Sequence, residues 1–196
     1  MSKKTLGYSI FFVALVIIFF LVVRPWIKKN DTISVVQPFS FVNQDGKIIT
    51  DKDMEGKVYV AEYFFTTCPG ICPEMNTNMK KVYEKFKDQK DFLILSHTSD
   101  PERDSVPVLK RYADSLGVNT AKWIFLTGRK DSLYTTARIS YTIDDPANNL
   151  KNIDDDFLHT QFWALVKDGE VKKVYDGLKQ SEINAMIKEI ERTLKL

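Results

Sequence analysis

Cysteine and histidine are both scarce in this chain, which holds two of each in 196 residues: Cys68 and Cys72, His97 and His159. No cysteine precedes Cys68, so no lipid-modified cysteine is expected near the N-terminus. Charge is missing from Leu6 to Val23, an eighteen-residue run long enough, if only just, to span a hydrocarbon core as a helix. A small-x-small cleavage site is missing after it, in Leu21 to Trp26, so the run is expected to stay attached as an anchor. Lys3 and Lys4 before it nearly balance Arg24, Lys28 and Lys29 after it. A short basic N-terminus ahead of a first apolar segment ordinarily stays inside, which would place the remainder outside the cytoplasm, with Trp26 at the interface. A basic stripe is also missing. The first thirty residues carry five basic and no acidic side chains, leaving 23 basic against 26 acidic beyond them, a net charge of −3 where the whole chain has +2. Nothing there invites nucleic acid. Internal repeats and low-complexity segments are absent, and residues 31–196 suffice for one domain with a proper core.

The two cysteines stand together, in Phe64-Phe65-Thr66-Thr67-Cys68-Pro69-Gly70-Ile71-Cys72-Pro73-Glu74. An apolar, strand-like run precedes them and an amphipathic helix follows. Such a pair can close into a disulfide or hold one soft metal ion. Pro73 suits a first helical position, which puts Cys72 at or near the N-cap, where free N–H groups and the helix dipole favour an anionic sulfur. Thiolate chemistry is expected there.

Residues 1–29 read as the anchor with its basic flanks and 30–37 as a tether. The folded domain is expected over 38–196. Pro38 to Val42 and Lys47 to Ile49 flank a turn at Asn43 to Gly46, a small hairpin. Lys57 to Phe65 is a central strand feeding the cysteine loop. Met75, Met79, Val82 and Phe86 then form one helical stripe, and methionines at that spacing are core before they are metal ligands. Asp91 to His97 is the next strand. A loop over Asp100 to Ser105 leads to a helix capped by Asp104 or Ser105, with Val108, Leu109, Tyr112 and Leu116 as its stripe and Gly117 as its end. Trp123 to Leu126 is a further strand, Asp131 to Ile139 a short helix and Asp144 to Asp156 a polar excursion. Gln161 to Val166 and Glu170 to Tyr175 form a hairpin turning at Asp168-Gly169. The last helix starts at a Ser181 cap and buries Ile183, Met186, Ile187, Ile190 and Leu194. This order describes an α/β sandwich of the thioredoxin-like kind: a central mixed sheet with an added N-terminal hairpin, preceded by one transmembrane helix. The cysteine loop lies at the carboxyl end of the first long strand, where open α/β sheets place their sites.

Thioredoxins keep two residues between their cysteines, and this chain has three. His159, just before the closing hairpin, lies in the loop that faces the cysteine loop in such a fold. Two thiolates and an imidazole suit copper in either oxidation state, and zinc also fits. Five features together resemble the Sco/SenC family, the copper chaperones of cytochrome c oxidase assembly. They are the anchor, Phe65 to Glu74, the Asp-Pro-Glu-Arg-Asp run at Asp100 to Asp104, the Trp-x-x-Leu-Thr-Gly run at Trp123 to Gly128, and His159-Thr160. The resemblance implies that Cys68, Cys72 and His159 are copper ligands. It also implies that the protein helps load the dinuclear copper centre of oxidase subunit II, by handing over copper or by reducing that subunit's cysteines. Gly70 stands where many members carry an acidic residue.

Bland readings stand beside these. A structural disulfide would close a ring of only five residues and constrain little chain. His97, at the carboxyl end of a strand, is near the site by position, but the resemblance gives it no ligand role. Asp154, Asp155 and Asp156 read as a solvated acidic loop that could meet a basic partner. The enzymatic alternative is a membrane-tethered thiol-disulfide reductase, with Cys68 attacking and Cys72 resolving, or a weak thiol peroxidase.

Overall fold

The computed structural model describes residues 3–23, 32–144, 158 and 160–195. The chain divides into two units, residues 1–31 and 32–196. The first holds α1 (Lys3–Val23), whose Lys4–Val22 stretch is long and apolar enough to cross a membrane. At 1.5 Å per residue, its 19 residues cover roughly 30 Å.

The second unit is built on one eight-stranded sheet in the order β1-β8-β7-β4-β5-β6-β2-β3. Its centre is β4 (Val58–Phe64), parallel to β5 (Phe92–Thr98), which is parallel to β6 (Trp123–Thr127). All seven residues of β4 and of β5 are buried. This is the pattern of strands covered on both faces. The remaining pairs are antiparallel: β7 (Phe162–Lys167) with β4 and with β8 (Glu170–Asp176), and β2 (Ser40–Asn43) with β6 and with β3 (Ile48–Thr50). Asp168 (φ 53°) and Gly169 (φ 73°) make the β7–β8 turn, the left-handed pair that a two-residue hairpin requires. Ser34–Val35, inside the expected tether, is the short strand β1 on the free side of β8.

Side chains alternate across the strands and so sort into two cores. On one face Val60, Phe64, Ile94, Trp123 and Trp163 meet α2 (Cys72–Phe86), α3 (Val106–Leu116) and α5 (Gln180–Leu194). Met75 and Met79 are buried in this core and fill space there. On the other face Tyr59, Tyr63, Leu95 and Leu126 meet Phe39, Phe41 and α4 (Lys130–Thr135). A π-turn over Thr136–Ser140 continues α4, where one uninterrupted helix was expected. The last helix begins at Gln180 with Lys179 as its N-cap, so Ser181 is not the cap. The Glu182 carboxylate reaches back to accept the Asp176 N–H at 2.7 Å, which fixes the chain's entry into the helix earlier than the serine predicts.

Candidate metal-binding site

Chain direction alone brings the cysteines to the top of the sheet. β4 ends at Phe64, whose carbonyl accepts the Ser99 N–H at 2.7 Å, and the loop turns at once, with the Cys68 N–H on the Phe65 carbonyl at 3.2 Å. α2 opens at Cys72 itself, with Ile71 as N-cap and the Met75 N–H on the Ile71 carbonyl at 3.0 Å. Pro73 follows in the first turn, where its missing N–H has no intrahelical partner to lose. Cys72 is buried and Cys68 half-buried, and both are free thiols.

The Cys72 thiol is pushed up to about 12, first by burial and then by its hydrogen bond with Cys68, with the nearby Glu62 carboxyl adding to the effect. The helix N-terminus was expected to favour an anionic sulfur. Burial outweighs it, and Cys72 holds its proton. A cleft of about 410 Å³ opens beside the pair between α2 and α3, with Pro73, Asn76 and Lys80 on one wall and Tyr112 on the other. Tyr112 stacks on Phe64 at 5.1 Å, and the Asn76 amide donates to its hydroxyl. A Cβ built on Gly70 meets nothing within 4 Å, so the loop has room for the acidic side chain that this chain lacks.

His97 is not part of this arrangement. It alternates with Ser96 and so faces the other core, where its ring stacks on Tyr63 at 5.0 Å and meets the edge of Phe41 at 5.5 Å. Both ring nitrogens are buried, and burial lowers the imidazole to about 4. His159 lies outside the described residues, as do Asp154, Asp155 and Asp156. Its neighbours Leu158 and Thr160 are buried, and the Thr160 hydroxyl donates to the Ile143 carbonyl at 2.5 Å. Among the described residues no group of three His, Cys, Asp or Glu could hold a metal ion.

The carboxyl of Glu62, and the role of that of Asp104, escaped the sequence reading. Glu62 is 1% exposed in the middle of β4, on the face that carries α2. Its Oε1 accepts the Ser96 hydroxyl at 2.6 Å, that hydroxyl accepts the Trp123 indole N–H at 2.7 Å, and Oε2 has no hydrogen-bond partner among the described residues. Burial raises Glu62 to about 8, so it is mostly neutral at pH 7. The signal was available: Glu62 is the one charged residue in the otherwise apolar Val58–Phe64 strand. Of the two expected cap residues, Asp104 and Ser105, the helix cap is Ser105, and the Asp104 carboxylate bonds instead to Thr66 and Thr98.

Comparison with known proteins bears on the family and the fold. The SCO1/SenC family profile matches residues 27–195. The SCO1 protein homolog of Bacillus subtilis is 30% identical over 161 residues, 80% of this chain and 81% of that protein. Among solved structures, BsSco, described as a Sco-family cytochrome c oxidase assembly protein with a disulfide switch, superposes with a TM-score of 0.70 at 30% identity. That match covers 85% of this chain and 98% of the other. Arabidopsis thaliana ScoI with copper bound gives 0.62 at 26% identity, over 83% of this chain and 99% of that one. The thioredoxin-like α/β fold is therefore shared with solved Sco proteins.

Proposed function

Because the chain belongs to the SCO1/SenC family, we propose that it is a membrane-anchored copper chaperone in which Cys68, Cys72 and His159 hold copper as cargo. The observation that carries this reading is the thiol pair at the head of α2, one sulfur buried and the other half-open to a cleft. Soft sulfur donors with one imidazole suit copper. A coordinating sulfur must be a thiolate, so loading releases the proton that burial keeps on Cys72, and the cation supplies the opposing charge. The half-open position of Cys68 leaves a route for exchange of cargo with a partner's ligands. The partner we propose is subunit II of cytochrome c oxidase, whose dinuclear copper centre would receive the metal. The α1 helix would tether the domain to the membrane on its extracytoplasmic side.

The test is metal content. Fully reduced chain in detergent micelles should retain one copper per chain after gel filtration, and chain oxidised to the Cys68–Cys72 disulfide should retain none. Equal copper in the two samples would overturn the proposal, because a disulfide removes both sulfurs from coordination.

A further inference from the structure

The loop that carries Cys68 is tied down by a single buried carboxylate. Asp104 is 1% exposed and lies in the loop that leads into α3. Its Oδ1 accepts the Thr66 hydroxyl at 2.5 Å, and its Oδ2 accepts both the Thr66 N–H at 3.1 Å and the Thr98 hydroxyl at 2.5 Å. Thr98 ends β5, and its own oxygen accepts the Asp100 N–H at 2.9 Å. An ionised carboxylate only accepts, so it takes all three donors, which an amide of the same shape cannot match. Thr66 stands two residues before Cys68. Cys72 needs no such help, since it is the first residue of a fifteen-residue helix packed on the core. The relative placement of the two sulfurs is therefore set at one end by α2 and at the other by the bonds at Thr66.

We propose that Asp104 is a positioning residue for the cysteine pair. By holding Thr66 against the end of β5 it fixes where Cys68 stands relative to Cys72, and so sets the effective concentration of one sulfur at the other. The proposal rests on Cys68 and Cys72 being one working site. It does not depend on which metal they hold.

The experiment equilibrates the full chain in detergent micelles with glutathione redox buffers. For each Cys68–Cys72 bond formed, one oxidised glutathione gains two electrons and two protons and leaves as two reduced molecules, so the equilibrium constant reports the effective concentration. Asp104→Asn and Thr66→Val should each lower it by about tenfold or more, the order expected when hydrogen bonds to a charged acceptor are lost. Thr66→Ser keeps both donors and should stay within about threefold of the parent. Asn43→Ala is the control for lost stability. It removes the side-chain acceptor of the Asp45 and Lys47 N–H groups in the β2–β3 turn, so it should lower the melting temperature and leave the equilibrium constant alone. Constants within twofold of the parent for Asp104→Asn and Thr66→Val would overturn the proposal, as would an equal shift from Asn43→Ala. Copper is absent from this assay. A normal Asp104 effect in a chain that binds no copper would refute the chaperone reading alone, and copper binding with no Asp104 effect would refute only the positioning.

Discussion

Replacing Glu62 by glutamine should make the protein more stable at high pH and leave it nearly unchanged at low pH. Glutamine keeps the shape and the acceptor for the Ser96 hydroxyl and removes the titrating proton. The folded chain raises Glu62 from 4.5 to about 8, and burial is the dominant cause. A carboxyl raised on folding binds its proton more tightly in the native state. Its contribution is therefore fully present below pH 4.5, falls as pH rises to about 8, and stays lost above that. At about 1.4 kcal/mol per pK unit, the ceiling on the loss is about 5 kcal/mol. Water entry and local relaxation reduce it, and we expect about 2–4 kcal/mol between pH 5 and pH 9. The groups facing Glu62 are the Ser96 hydroxyl, the Trp163 indole, and the Cys72 thiol and Tyr112 phenol, whose charged forms it disfavours. Guanidinium unfolding of the reduced chain, followed by the fluorescence of buried Trp123 and Trp163, gives the stability at each pH. The advantage of the Glu62→Gln variant over the parent should widen steadily from pH 5 to pH 9. Parallel stability curves would refute the assignment of Glu62 as a neutral, buried acid.

His97 has the opposite sign. Burial depresses it from 6.5 to about 4, so the unfolded chain binds the extra proton first and stability should fall as pH drops from about 6.5 towards 4, by about 3 kcal/mol at most. His97→Phe should flatten that acid limb, and an unchanged acid limb in melts at pH 7 and pH 4.5 would show that another group causes it. The topology is open to protease added to intact spheroplasts, which should degrade the domain beyond α1. Full protection would contradict an extracytoplasmic domain.

The parts of the fold governed by periodicity were legible in the residues. The Met75, Met79, Val82 and Phe86 stripe is the buried side of α2, and the Asp168-Gly169 pair turns the last hairpin because few other residues accept that backbone. The cysteine loop between β4 and α2 was legible for the same reason, since an apolar run and an amphipathic stripe bracket it. What the residues hid depends on partners distant in sequence. Asp104 and Ser105 both read locally as caps; Ser105 is the cap, and the hydrogen bonds of Asp104 go to Thr66, 38 positions away, and to Thr98. Strand alternation across the sheet puts His97 in the opposite core, although position along its strand suggests nearness to the cysteines. The raised Cys72 thiol likewise reflects packing, which the helix-dipole rule ignores. β1 is two residues long and leaves no pattern of its own.

X-ray absorption at the copper edge tests the central claim most directly. The reduced chain, loaded with one equivalent of copper, should show two sulfur neighbours and one nitrogen neighbour. His159→Ala should lose the nitrogen and keep the sulfurs, and Cys68→Ser or Cys72→Ser should lose copper altogether. A copper environment without sulfur, or one identical in the parent and the Cys68→Ser and Cys72→Ser variants, would contradict the account.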